Sequence, residues 1–333
     1  MSALVLGIET SCDETAASVV DAGREILSNV IATQIPWHVE FGGVVPEIAS
    51  RKHLEFINPV IKKALSDAGV GLEDIAAVAV TYGPGLVGGL LVGLSAAKAI
   101  AYSRNLPLIG VNHIEGHIYA NFLAYHDLEA PLVCLTVSGG HTTLLYIEEM
   151  GEYTIIGQTR DDAAGEAFDK VSRVLGLGYP GGPAVEKSAK LGNPRAYDFP
   201  KALPGELDFS FSGLKTAVIN TFHNAKQKNQ EINLNDLAAS FQESVVEVLV
   251  EKTMMAAQQK NVKNILLSGG VASNERLREA LGDACAKAGK KLYYPPKILC
   301  TDNAAMIACA GYYRWKKGYA SQWDLNADPR LGL

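Results

Sequence analysis

The sequence predicts a duplicated α/β protein, and three observations carry that prediction. First, residues 4–15 and 132–143 repeat one plan at an offset of 128, so that Leu4/Leu132, Val5/Val133, Thr10/Ser138 and Thr15/Thr143 correspond without gaps. Each is a short apolar run bounded by turn residues, which reads as a buried strand opening a hairpin. Second, each half later holds a strand, a glycine-rich turn and a helix. Third, a β-rich start followed by strand–helix units occurs twice, as in a duplicated fold.

The elements can be placed in order. In the first half Val78-Ala79-Val80-Thr81 leads through Tyr82-Gly83-Pro84-Gly85 into a helix from about Leu86. In the second, Ile265-Leu266-Leu267-Ser268 leads through Gly269-Gly270 into a helix capped by Ser273 or Asn274. Further helices are predicted over 46–68, 163–175, 212–228, 234–260 and 302–317. Residues 176–213, rich in Gly and Pro, are expected to form a loop-laden insertion, and 321–333 an irregular tail. One lobe is expected at 1–128 plus 305–333, the other at 129–304 with an insertion at about 176–230. Ligands of such sheets sit at the carboxyl ends of strands, which puts the expected crevice between the halves.

The 333 residues, 48% apolar and 20% charged, suit a soluble globular enzyme of two domains. The start lacks a cationic n-region and reaches Glu9 too early for a signal peptide. The most apolar stretch, 86–102, is interrupted by glycines and Lys98 and is too short to span a bilayer, so no membrane role is expected. Five cysteines, odd in number and without a C-x-x-C pair, point to a reducing, cytoplasmic setting. The net charge of −6 argues against broad nucleic-acid affinity, so RNA binding would need a local patch or a basic partner.

His113-Ile114-Glu115-Gly116-His117 places two histidines at i and i+4, on one helix face and within reach of one metal. Two structural histidines would give the same spacing. A metalloprotease helix is excluded, because H-E-x-x-H needs Glu beside the first histidine, where Ile114 stands. Glu115 lies about 200° around the helix from His113. A third ligand must come from elsewhere. Asp302, in Cys300-Thr301-Asp302-Asn303, can cap the following helix or join the histidines; two His and one carboxylate leave positions open to substrate.

Ser138-Gly139-Gly140-His141 and Gly269-Gly270-Val271-Ala272-Ser273-Asn274 each follow a buried strand. Paired glycines let backbone N–H groups approach an anion, though ordinary turns use them too. Their recurrence in both halves favours a nucleotide. Asp162, Glu166 and Asp169 fall on one predicted helix face, as a solvated stripe or as sugar-hydroxyl ligands. Lys187, Lys190, Arg195 and Lys201, and Arg314, Lys316 and Lys317 beside Trp315 and Tyr319, are loose basic clusters.

Together these motifs resemble the tRNA adenosine threonylcarbamoyltransferase family of the bacterial TsaD type, formerly labelled glycoprotease. The resemblance runs through Gly7-Ile8-Glu9-Thr10-Ser11-Cys12-Asp13-Glu14-Thr15, Phe41-Gly42-Gly43-Val44-Val45-Pro46-Glu47, Gly83-Pro84-Gly85-Leu86, the two-histidine motif and Val137-Ser138-Gly139-Gly140-His141-Thr142. It continues through residues 162–170, Tyr179-Pro180-Gly181-Gly182-Pro183, residues 209–216, Gly269-Gly270-Val271 with Asn274, and Cys300-Thr301-Asp302-Asn303. It implies an actin-like fold of the ASKHA superfamily, with two RNase-H-like domains and a nucleotide cleft between them. It assigns the metal to His113, His117 and Asp302. It assigns substrate contacts to Thr136, Val137, Ser138, Gly139, Gly140, Asp169, Gly182, Glu186 and Asn274. Glu186 stands where Asp is common, and no tyrosine ligand stands near Thr136, which favours the bacterial branch.

The implied reaction moves a threonylcarbamoyl group from threonylcarbamoyl-AMP to the N6 amine of adenosine 37 in tRNAs reading ANN codons. The implied cofactors are one divalent metal per subunit, iron before zinc, and a nucleotide: the adenylate donor, with ATP or ADP as alternatives. The implied partners are tRNA, a paralogous actin-fold protein of the TsaB type and a small P-loop ATPase of the TsaE type. Asp13 and Glu14 are the candidates for the general base. An actin-superfamily ATPase or small-molecule kinase is the rival reading; it shares the nucleotide loops but has no use for the two histidines.

Overall fold

The computed structural model describes residues 3–333. The chain divides into two compact units, Met1–Leu128 with Pro295–Leu333, and Glu129–Tyr294. The first holds β1 (Leu4–Glu9), β2 (Glu14–Asp21), β3 (Glu25–Thr33), α1 (Ile35–His38), α2 (Pro46–Ala68), β4 (Ile75–Gly83), α3 (Val87–Arg104), β5 (Leu108–Asn112) and α4 (His113–Ala124). The second holds β6 (Leu132–Val137), β7 (Thr142–Glu149), β8 (Glu152–Gln158), α5 (Ala164–Leu175), α6 (Gly181–Ala189), α7 (Ser212–Gln227), α8 (Leu234–Gln259), β9 (Asn264–Ser268), α9 (Glu275–Lys287) and β10 (Lys291–Tyr293). The chain then returns to the first unit as α10 (Lys297–Cys300) and α11 (Ala304–Lys316).

The sheets run β3-β2-β1-β4-β5 and β8-β7-β6-β9-β10, the same order twice. In each, the first strand is antiparallel to the second and parallel to the fourth. This is the duplicated actin-like architecture expected of the sequence. The gap-free repeat holds only through β1 and β6. Glu9 pairs with Ala16, whereas Val137 pairs with Thr142, so the second hairpin turn is two residues shorter. An even difference leaves every side chain on its original face, because the strand period is two.

In the first unit Leu6, Ile8, Val78 and Val80 pack against Ile57, Val60 and Ile61 of α2 and Leu94 of α3. The helix α11 is rich in alanine on the residues it buries. That permits backbone contact with β1: a Cβ on Gly7 would strike the Ala304 carbonyl and Ala308. Residues 321–332 are irregular, as predicted, yet tied down. Ser321 N donates to Leu108 O at 2.7 Å, Asp328 N to Tyr82 O at 2.8 Å, and Asn112 Nδ2 to Gly332 O at 2.9 Å.

Four expectations need correction. The chain re-enters the first unit at Pro295, not 305, because α10 packs on α4 and Asp302 reaches the α4 histidines. The helix expected from 302 begins at Ala304, and its cap is Asn303, whose Oδ1 accepts from Met306 N at 3.1 Å. Asp162 precedes α5 and does not extend its face; it pairs with Lys170 at 2.7 Å and Lys215 at 2.5 Å. Within the stretch expected as loop, residues 181–189 are helical because Gly182-Pro183 opens a first turn that needs no amide donor there.

Candidate metal centre and nucleotide loops

The metal candidates lie within the first unit. Helix α4 starts at His113 because Asn112 caps it, its Oδ1 accepting from Ile114 N at 2.8 Å and Glu115 N at 3.3 Å. One turn on, His117 faces the same way, and the two rings meet edge-on at 4.7 Å between centroids. Asn303 takes over the capping of α11, which leaves the Asp302 carboxylate available to turn toward α4. Asp302 Oδ1 lies 3.5 Å from His113 Nε2 and 3.3 Å from His117 Nε2. One donor atom from each of the three residues falls within 4.8 Å of the others. Glu115 faces elsewhere and pairs with Arg314 at 3.0 Å, as its helical position requires.

The donor set fits a cation on an observation of the protein itself. Both ring nitrogens of His117 are buried and lack a hydrogen-bond partner. Such an orphaned group costs about 1–3 kcal/mol, and a cation at the shared centre would satisfy Nε2. Behind His113 stands Glu9, wholly buried at the end of β1, with Oε2 3.1 Å from His113 Nδ1. Its other partners are Ser11 N at 2.5 Å and Thr81 Oγ1 at 2.5 Å.

Electrostatics separates the two histidines. Burial pulls His113 down, but the charges of Asp302 and Glu9 outweigh it and raise the ring to about 9. Burial prevails at His117 and holds it below the usual histidine value. Burial would lift Glu9, yet the charge and hydrogen bond of His113 keep it below the carboxylate range. The first-half turn carries Asp13 and Glu14. Burial, then the charges of Asp13 and Asp302, push Glu14 up to about 9, so it holds its proton at neutral pH. A bound cation would offset the Asp302 charge alone and leave the larger effects of burial and Asp13 in place.

The second unit gathers the substrate candidates at the carboxyl ends of β6 and β9. Thr136 is buried, its hydroxyl 2.9 Å from that of Ser268 on β9. Val137 ends β6, and Gly269, at φ 87°, lies against its carbonyl, where a Cβ could not fit. Ser138 turns the chain: its N donates to His141 O at 2.8 Å, and its carbonyl accepts from Gly165 N at 3.2 Å. Gly139 and Gly140 are exposed, and a Cβ on either would meet nothing within 4 Å. Asp169 Oδ1 accepts from Gly181 N at 2.7 Å and so holds the start of α6 beside Gly182. Glu186 Oε1 accepts from Glu275 N at 2.8 Å, and Asn274 caps α9 while donating to Gln242 Oε1 at 2.9 Å. Glu186, Gln242, Glu275 and Arg276 line a cavity of about 210 Å³.

Sequence reasoning missed Glu9, Thr81, Asn303, Gln242 and Arg276. Glu9 carried a signal: it is an acid closing an otherwise apolar strand read as buried. Gln242 and Arg276 carried none, since each lies on a long helix among other polar residues.

Two sheets of this order with glycine loops at their strand ends define the actin-like fold. The fold of the HypF protein of T. kodakarensis is similar, with TM-score 0.64 and 16% identity over 97% of this chain and 49% of that one. The family profile described as TsaD, tRNA N6-adenosine threonylcarbamoyltransferase, matches residues 25–309. Proteins of that name from Desulfitobacterium hafniense and Clostridium perfringens are 57% and 58% identical to it, over 99% of this chain and 97% and 98% of theirs. The chain belongs to the tRNA N6-adenosine threonylcarbamoyltransferase family and is a transferase. No helix of the described residues is long and apolar enough to cross a membrane.

Proposed function

We propose that this protein moves a threonylcarbamoyl group from threonylcarbamoyl-AMP to the N6 amine of adenosine 37 in tRNAs reading ANN codons, with His113, His117 and Asp302 holding one divalent metal, iron before zinc. The observation that carries this is the convergence of those three donors around buried, unpartnered nitrogens of His117. When bound, the metal supplies Lewis acidity and a template for donor oxygens. The chain's own residues do the rest. Amides at 138–140 and 269–270 receive the phosphate of the adenylate. Asp169, Glu186 and Asn274 orient its sugar, and the cavity beside Arg276 receives its base. Of the two candidate bases, Asp13 takes the proton of the attacking amine, since Glu14 already holds its own at neutral pH; the amine's lone pair is delocalised and needs an activated acyl group with a good leaving group. The target adenosine lies in a single-stranded loop and can be splayed out for this.

The net charge of −6 supports dependence on helpers that grip tRNA: a paralogous actin-fold protein of the TsaB type and a small P-loop ATPase of the TsaE type. Five free cysteines support a cytoplasmic setting. The test is mass analysis of tRNA nucleosides after incubation with threonine, bicarbonate, ATP, the donor synthase and the helpers. Threonylcarbamoyladenosine should form, with AMP released from the donor. Wild-type yield from His113→Ala would sink the metal reading, and ADP with no modified nucleoside would favour a kinase.

A further inference from the structure

The transfer reading gives Glu9 no task. We propose that Glu9 is a positioning residue that fixes which nitrogen of His113 faces the ion, making the centre a four-residue assembly in which His113 is preset and His117 is not. This rests on the metal reading above.

A carboxylate only accepts hydrogen bonds. Oε1 of Glu9 takes Ser11 N, and Oε2 takes Thr81 Oγ1 and faces His113 Nδ1 at 3.1 Å. The proton of the neutral ring therefore sits on Nδ1, and the lone pair of Nε2 points to Asp302. Ser11 Oγ also lies 3.1 Å from His113 Nδ1, but a hydroxyl can donate or accept and would leave the tautomer open. The carboxylate decides it. Glu9 can do this because it ends β1 beside β4, where Ile8 pairs with Val80 and Thr81 follows. A group held by two adjacent central strands orients a ligand better than one on a loop. His117 has no such support, since Nδ1 is buried without a partner. Partners that orient ligating histidines are worth about 10–100-fold in metal affinity.

The experiment uses the full chain stripped of metal and titrated with Co²⁺, with affinity read from visible absorption and competition by Zn²⁺. Glu9→Gln removes the carboxylate at nearly constant volume and should weaken Co²⁺ binding about 10–100-fold. Should that variant fail to fold, Thr81→Val removes only the hydroxyl that aims Glu9. It should weaken binding several-fold, and Thr81→Ser should restore it. The readout that a merely structural role would not move is the tautomer: in the Zn²⁺ form, long-range ¹H–¹⁵N spectra should place the His113 proton on Nδ1. A proton on Nε2 with Nδ1 on the metal, or Glu9→Gln and Thr81→Val binding Co²⁺ like wild type, overturns the proposal. Wild-type protein that binds no Co²⁺ overturns the metal reading itself and this with it.

Discussion

The two hairpin turns, after β1 and after β6, occupy the same place in the same topology and present opposite kinds of surface. The first is crowded. Cβ atoms on Gly85, Gly89 and Gly93 would strike Ser11 or Thr10, so the region after β4 clamps the turn from behind. It carries Glu9, Asp13 and Glu14, an acidic surround for a cation. The second turn is two residues shorter and has paired glycines whose missing Cβ atoms face open space. It offers backbone to an anion. A duplicated fold thus supplies two loops in corresponding places, and on the proposed reading their side chains and lengths suit one to a cation and the other to a phosphate.

The sharpest test of that division is loss of a ligand. Asp302→Ala or His117→Ala should lower metal affinity and transfer by more than about 100-fold, beyond the range for outer partners, while binding of AMP, which lacks the threonylcarbamoyl oxygens, stays within twofold or so. Equal loss of AMP binding would show that the two ends are not separate. Next in size, Gly7→Ala should destabilise by about 3 kcal/mol, since its Cβ meets the α11 backbone. Gly139→Ala should stay within about 0.5 kcal/mol, and Gly139→Val should raise the KM for the adenylate while leaving the melting temperature unchanged.

The acidic surround also predicts a pH dependence for metal-free protein. His113 is raised from 6.5 to about 9, so its contribution is whole below pH 6.5 and lost as pH climbs through 9. Glu14, raised from 4.5 to about 9, stays protonated in the fold while the unfolded chain ionises, so stability drops over the same rise. The melting temperature should therefore fall between pH 6.5 and 9, and a rise would contradict the assignment. Added Zn²⁺ should reverse the trend, because it replaces the proton on His113. The smallest effects are at the caps: Asn112→Ala and Asn303→Ala should each cost about 1 kcal/mol by thermal melting.

Much of the architecture was legible because it is written in local patterns. Short apolar runs marked β1 and β6, and the i, i+4 spacing put His113 and His117 on one face whatever the surroundings. The same spacing turned Glu115 away, and Arg314 now holds it. The role of Asp302 was open in the sequence, since it could either cap the following helix or join the histidines. Coordinates decided it by giving the cap to Asn303.

The amino-acid sequence by itself determined the doubled α/β plan, the two-histidine face and the glycine loops, because periodicity and turn chemistry act over a few residues. Only tertiary structure decided that Asp302 meets those histidines, that Glu9 stands behind one of them, and that Gln242 and Arg276 border the second-unit cavity. Those meetings join segments up to two hundred residues or so apart. The first two depend on how α11 packs against β1 and α4, and the third on how α8 packs against α6 and α9, which no local pattern encodes.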